Sequence, residues 1–150
     1  CRRRDSRFPV SRAAVPIEFS IDHENRLVRA KGHGAFTDED VFSYQRDVWS
    51  RPELAGYNEL MDMSEVRQIA LPSIERVRDL AKLSASMDAE KSGSKFAIVA
   101  PSDLAFGLGR MYEMYRDLQA QSTKQVGVFR TLQEALEFLD PPKPPSLRQS

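Results

Sequence analysis

His33 lies between two glycines a short way ahead of Asp38. An imidazole beside a carboxylate could pass a proton, although an exposed loop histidine is the simpler account of the same residues. Asp62 could serve as a base or polar anchor where a strand ends, or it could cap a neighbouring loop. Ser102 and Asp103 precede one helical stretch and Thr131 another, and Glu134 completes a T-x-x-E capping box with Thr131. Phe106 and Arg110 stand one helical turn apart, so the guanidinium can lie across the ring with Glu113 in reach as a charge partner. Such a pair on an outer face suits an interface anchor, and an ordinary surface pair would look the same. Gly107 and Gly109 do not form a phosphate loop, because G-x-G-x-x-G fails at Tyr112, and close helix packing is their expected role. The sequence has no G-x-S-x-G elbow, no G-x-x-x-x-G-K-[ST] loop and no H-E-x-x-H. A noncatalytic chain without cofactor or metal is expected.

Composition narrows the partners. The 22 Lys and Arg residues balance 22 Asp and Glu, which argues against a dedicated nucleic-acid or anionic-membrane binder. With 41% hydrophobic residues in 150, one folded domain is expected. The longest apolar runs, such as residues 96–100, reach about a quarter of the roughly 20 residues that span a bilayer. Cys1 is the single cysteine, so a reducing cytoplasmic setting is expected and neither an internal disulfide nor a thiolate zinc site. A chain opening on Cys1 rather than Met reads as a fragment or a processed product, and a lipid-modified cysteine is conceivable there.

The elements that must hold these residues follow from periodicity. Residues 1–14 form a basic arm with Arg2, Arg3, Arg4, Arg7 and Arg12, and residues 141–150 form a proline-rich tail; the domain proper is expected over 15–140. Ile17, Phe19 and Ile21 alternate with polar residues as a strand does, and residues 27–30 are its hairpin partner, running into a glycine-punctuated stretch to Phe36. Thr37 caps a helix whose stripe is Val41, Tyr44 and Val48. A third strand covers 57–63, with Asp62 and Ser64 at its carboxyl end. Pro72 fits the first turn of a helix whose buried face is Ile74, Val77, Leu80, Ala81 and Ser84. Residues 95–100 read as a strand covered on both faces, followed by a helix whose sheet-facing stripe is Leu104, Leu108, Met111, Tyr115 and Leu118. Residues 125–129 make a fifth strand, and Leu132, Ala135, Leu136 and Leu139 stripe a last helix. The expected fold is α/β: a five-stranded mixed sheet, antiparallel only at its first edge, with four helices. If every crossover steps to the adjacent strand, all helices fall on one face, and a second copy is one way to cover the other. Ligands of such sheets bind beyond the carboxyl ends of the strands, here Asp62, Ser64, Ser102, Asp103, Arg130 and Thr131.

The order of elements, together with Phe96-Ala97-Ile98-Val99, Phe106-Gly107-Leu108-Gly109-Arg110-Met111 and Val128-Phe129-Arg130-Thr131 ahead of Glu134-Ala135-Leu136-Glu137-Phe138-Leu139, resembles the small bacterial SpoIIAA-like proteins of the STAS superfamily. The resemblance covers residues 15–140. It implies a stand-alone mixed-sheet domain from a group without a settled activity, related to anti-sigma-factor antagonists that switch by serine phosphorylation. Anchoring on Asp62-Met63-Ser64-Glu65-Val66 puts Leu71 where the phosphoserine would stand, so the usual switch is missing. A two-residue slide brings Ser73 into place without the preceding Asp or following Gly; a phosphate there would gain from the helix amino terminus.

The expected function is therefore a regulatory or protein-interaction module, binding a partner or a second copy through Phe106, Arg110 and the rim. The alternative is a carrier of a small hydrophobic ligand or lipid, with Met61, Met63, Met111, Met114 and Trp49 lining its pocket.

Overall fold

The structure, a computed structural model, describes residues 17–70, 72–88 and 93–140. The basic arm, the proline-rich tail and Leu71 lie outside the described residues. Strand β1 (Ile17–Asp22) turns back through Asp22, whose carboxylate accepts the Asn25 amide at 3.1 Å, and pairs antiparallel with β2 (Leu27–Phe36). Helix α1 (Asp38–Val48) starts at Thr37, where Thr37 and Asp40 cap each other's backbone amides. After a 3₁₀ turn at Pro52–Leu54 come β3 (Asn58–Ile69), α2 (Ile74–Ser86), β4 (Lys95–Val99), α3 (Asp103–Asp117), β5 (Gln125–Phe129) and α4 (Leu132–Leu139). The sheet order is β1-β2-β3-β4-β5, with every pair after the first parallel, as expected. No described helix is long and apolar enough to cross a membrane.

The helices do not share one face. Helices α1, α2 and α3 pack with Val28, Met61, Phe96 and Ile98 in the main core, whereas α4 lies on the reverse face against Leu60, Ala97 and Val99. Crossover handedness fixes only a helix that joins two parallel strands, and α4 follows the edge strand β5, so it is free to fold back under the sheet. The rest of that reverse face carries the polar side chains of Glu18, Ser20, Arg29 and Lys31. Among the described residues, α4 and these polar side chains cover the reverse face that was expected to be left bare for a second copy.

Strand β3 runs well past the expected end at Met63. Strand β2 continues through its glycines as a partner, although two extra β3 residues bulge between Lys31 and Ala35. Gly32 permits this: a Cβ there would stand 2.8 Å from Val66. Gly34 turns the ribbon with φ +60°. Asp62 pairs with Val99, the last residue of β4, so residues 63–69 project beyond the sheet with β2 alone beside them.

Three helix faces also differ from the periodic reading. Residues Ala105, Gly109, Tyr112 and Arg116 are the buried stripe of α3, while Leu104 and Leu118 point outward, at 45% and 72% exposure. Apolar residues occupy much of this helix's circumference, so spacing fixes a period without fixing its phase, and close approach selects the small residues. A Cβ on Gly109 would meet Val128 at 3.0 Å, whereas one on Gly107 would meet nothing. The close-packing role belongs to Gly109 alone. In α2, Ser73 is the cap, Pro72 precedes it outside the helix, and Ile74 is exposed. In α4 only Ala135 is fully buried; the Thr131 hydroxyl caps the helix by accepting the Glu134 amide at 3.2 Å, and it donates to the Glu134 carboxylate, which therefore does not return to the Thr131 amide as the full box requires.

Candidate functional site

A cavity of about 130 Å³ opens between the sheet and the three-helix face. Met61 and Met63 of β3 and Phe96 and Ile98 of β4 form its floor. Val41 and Tyr44 of α1, Val77 and Leu80 of α2, and Leu108 and Tyr112 of α3 form its walls. Its outer end lies where β2 and β3 finish, at Phe36, Ile69 and Pro72, and its inner end reaches Glu59 near the start of β3. The cavity thus runs along the strands towards their carboxyl ends, the customary ligand side of a parallel sheet.

The mouth is strapped by charge. Arg76 of α2 bonds Asp38 and Glu39 at the start of α1 and stacks over Phe42 at 4.1 Å. The Arg76 hydrogen bond holds the Asp38 carboxyl below its ordinary range, and the same bond raises the guanidinium.

The inner end is polar and buried. Tyr44 donates to Glu59 Oε2 at 2.9 Å and accepts from Trp49 Nε1 at 3.2 Å. Lys124 stands 3.5 Å from Glu59 Oε1 and 3.5 Å above the Trp49 ring, with both members of the ion pair under 10% exposed. Behind Tyr112, Arg116 donates to the tyrosine hydroxyl at 2.7 Å, to Ser122 at 3.0 Å and to Asp88. Burial pushes the Tyr44 hydroxyl well up, and the Glu59 charge adds to it. Burial also raises Tyr112, against the pull of Arg116, and lowers Lys124, against the pull of Glu59. Burial opposes the charge on Arg116, but Tyr112 and Asp88 together leave it raised.

The expected site residues divide among several places. Met61 and Met63 line the cavity; Trp49 lies behind its inner end, Met111 packs at the core margin and Met114 is exposed. Asp62 lies within β3 on the reverse face, accepting the Ser64 amide at 2.9 Å. Ser102 and Ser73 act as helix caps. Asp103, Arg130 and Phe106 do meet, but the guanidinium over the Phe106 ring, at 4.2 Å, is that of Arg130, which also bonds Asp103 at 2.9 Å. Arg110 turns to Glu113 instead, at 3.4 Å, because a residue from the β5 end already covers the ring. His33 sits in β2 rather than a loop and meets Glu18 at 2.9 Å, while Asp38 is held by Arg76. Among the described residues no group of three or more His, Cys, Asp and Glu could hold a metal ion.

Glu59, Arg76, Asp88, Arg116 and Lys124 escaped the sequence reading. A signal existed for two of them: Glu59 falls on the same strand face as Met61, and Arg116 falls on the same helix face as Tyr112. Each is a charge at a core phase.

The fold is that of a SpoIIAA-like α/β domain. The chain is similar to an uncharacterised protein of the DUF3478 family with a SpoIIAA-like fold from Shewanella loihica, with a TM-score of 0.51 at 20% identity, over 82% of this chain and 93% of that one. No protein-family model matches the sequence, and no curated protein matches it.

Proposed function

We propose that this domain is a noncatalytic binding module whose primary ligand is a small apolar molecule held in the cavity. The observation that carries this reading is the cavity itself: an apolar space under three helices, reached from the strand ends and bounded by a paired charge strap. Protein interiors normally close such gaps, since each unfilled methylene-sized void costs about 1 kcal/mol. An engineered apolar cavity of about 150 Å³ takes up benzene, so this volume is in the range of a ring or a medium chain. Native mass spectrometry of the purified chain tests it. A copurified mass that disappears in Met63→Trp, which fills the floor, supports the reading. A protein that carries no such mass and takes up no apolar probe refutes it.

A protein partner is the second reading, favoured by the outward stripe of α3. Leu104, Met114 and Leu118 are exposed at 45%, 51% and 72%, aligned on one side of the helix. Charged substitution of Met114 and Leu118 would then lower oligomer mass or partner capture without altering the cavity. The weaker regulatory reading keeps Ser73, whose phosphate would sit at the α2 amino terminus beside the mouth.

A further inference from the structure

We propose that the cavity selects an uncharged amphiphile that donates one hydrogen bond, an alcohol or phenol whose hydroxyl meets Glu59 and whose apolar remainder lies along Met61, Met63 and Ile98. This rests on the reading of the cavity as a ligand site and names the ligand class. Glu59 is 4% exposed, yet it lines the inner end of an otherwise apolar space. A carboxylate offers about four lone-pair positions and no donor. Tyr44 takes one at 2.9 Å, and Lys124 approaches a second at the long distance of 3.5 Å. Among the described residues these are its two side-chain donors, so acceptor capacity remains, and only a donor can use it.

Charge fixes the rest of the class. Lys124 balances Glu59 within the wall, so the inner end carries no net charge to attract an ion. An anionic head placed there would face a buried carboxylate at low dielectric, and a cationic one would compete with a lysine already in place. At the mouth, the two carboxylates of Asp38 and Glu39 outnumber the one charge of Arg76, which disfavours an anionic head there. Size follows from the volume: on the scale of the apolar cavity of about 150 Å³ that takes up benzene, this space encloses on the order of six non-hydrogen atoms, and the end of a longer chain lies in the open mouth.

The test compares 1-octanol, octyl methyl ether and octanoate by titration calorimetry on the full chain. These share one chain and differ in donor and charge. Octanol is expected to bind about tenfold or more tighter than the ether, the usual worth of a hydrogen bond to a charged acceptor, with octanoate the weakest. In Glu59→Gln the alcohol-to-ether ratio is expected to fall severalfold, because a neutral amide accepts less strongly and can donate to the ether oxygen. Met63→Trp is expected to abolish binding of both, which places them in the cavity. Equal affinity of the wild type for alcohol and ether, or tighter binding of octanoate, overturns the inference and leaves the apolar-ligand reading standing. Absence of binding by all three overturns both.

Discussion

Arg116 is 2% exposed and joins three parts of the chain, through Tyr112, Ser122 and Asp88. Replacing it with leucine leaves the Asp88 carboxylate, itself 4% exposed, with the amides of Thr123 at 2.9 Å and Lys124 at 3.1 Å but without its counter-charge. Loss of one member of a buried pair costs about 3–5 kcal/mol, and the two amides that remain place this case at the lower end, about 3 kcal/mol. That is a large share of the roughly 5–15 kcal/mol that holds a domain folded. Urea unfolding followed by circular dichroism should show a midpoint lower by about 1 M or more at an unchanged slope, given slopes of about 1–3 kcal/mol per molar. Adding Asp88→Asn to Arg116→Leu removes the stranded charge and should restore part of the loss, giving a coupling energy of about 1 kcal/mol or more. A single mutant within 1 kcal/mol of wild type, or strictly additive mutants, would refute the assignment of this pair as a structural centre.

The two α3 glycines should respond in opposite directions. Gly107→Ala should stabilise by about 0.5–1 kcal/mol, since the site is open and helical, whereas Gly109→Leu should destabilise by about 1–3 kcal/mol by driving a side chain into Val128; thermal melts of the two variants check both signs. Tyr44 and Tyr112 lie in the fold with hydroxyls raised above the ordinary value of 10.0. The unfolded chain therefore releases those protons first, and stability should fall as pH rises above about 10. An ultraviolet titration should show tyrosinate from these two only with the unfolding transition, and Tyr44→Phe should flatten the alkaline slope. Arg130→Ala should uncover Phe106 while changing stability by less than about 1 kcal/mol, because the Asp103 partner is exposed; a larger drop in a urea titration would contradict that.

The architecture was legible because alternation and helical spacing are strong where one side of an element is wet: β1, the capped start of α1 and the buried β4 all lie where those patterns place them. Phase and length were less so. Leu104 and Leu118 fit a helical stripe as well as Ala105 and Tyr112 do, and only the distance from α3 to Val128 decides between them. The extent of β3 depends on whether Gly32 and Gly34 end β2 or bend it, which is a property of two strands together. The cavity was half legible: Met61 and Met63 share one face of β3 and lie on the cavity floor, but its polar end joins Tyr44, Glu59 and Lys124 from three separate segments. No local spacing links those residues, and each alone reads as a core aromatic or a surface charge.

The strand order has a bearing on synthesis. Each strand after the first pairs with the one made just before it, so the sheet can be laid down from its β1 edge as the polypeptide emerges, with little waiting for distant segments. The reverse side is different: Leu60, Ala97 and Val99 stay uncovered until α4 arrives. A nascent chain halted before Thr131 would present a sticky sheet to its neighbours, so this short final helix acts as the guard against aggregation for everything made before it.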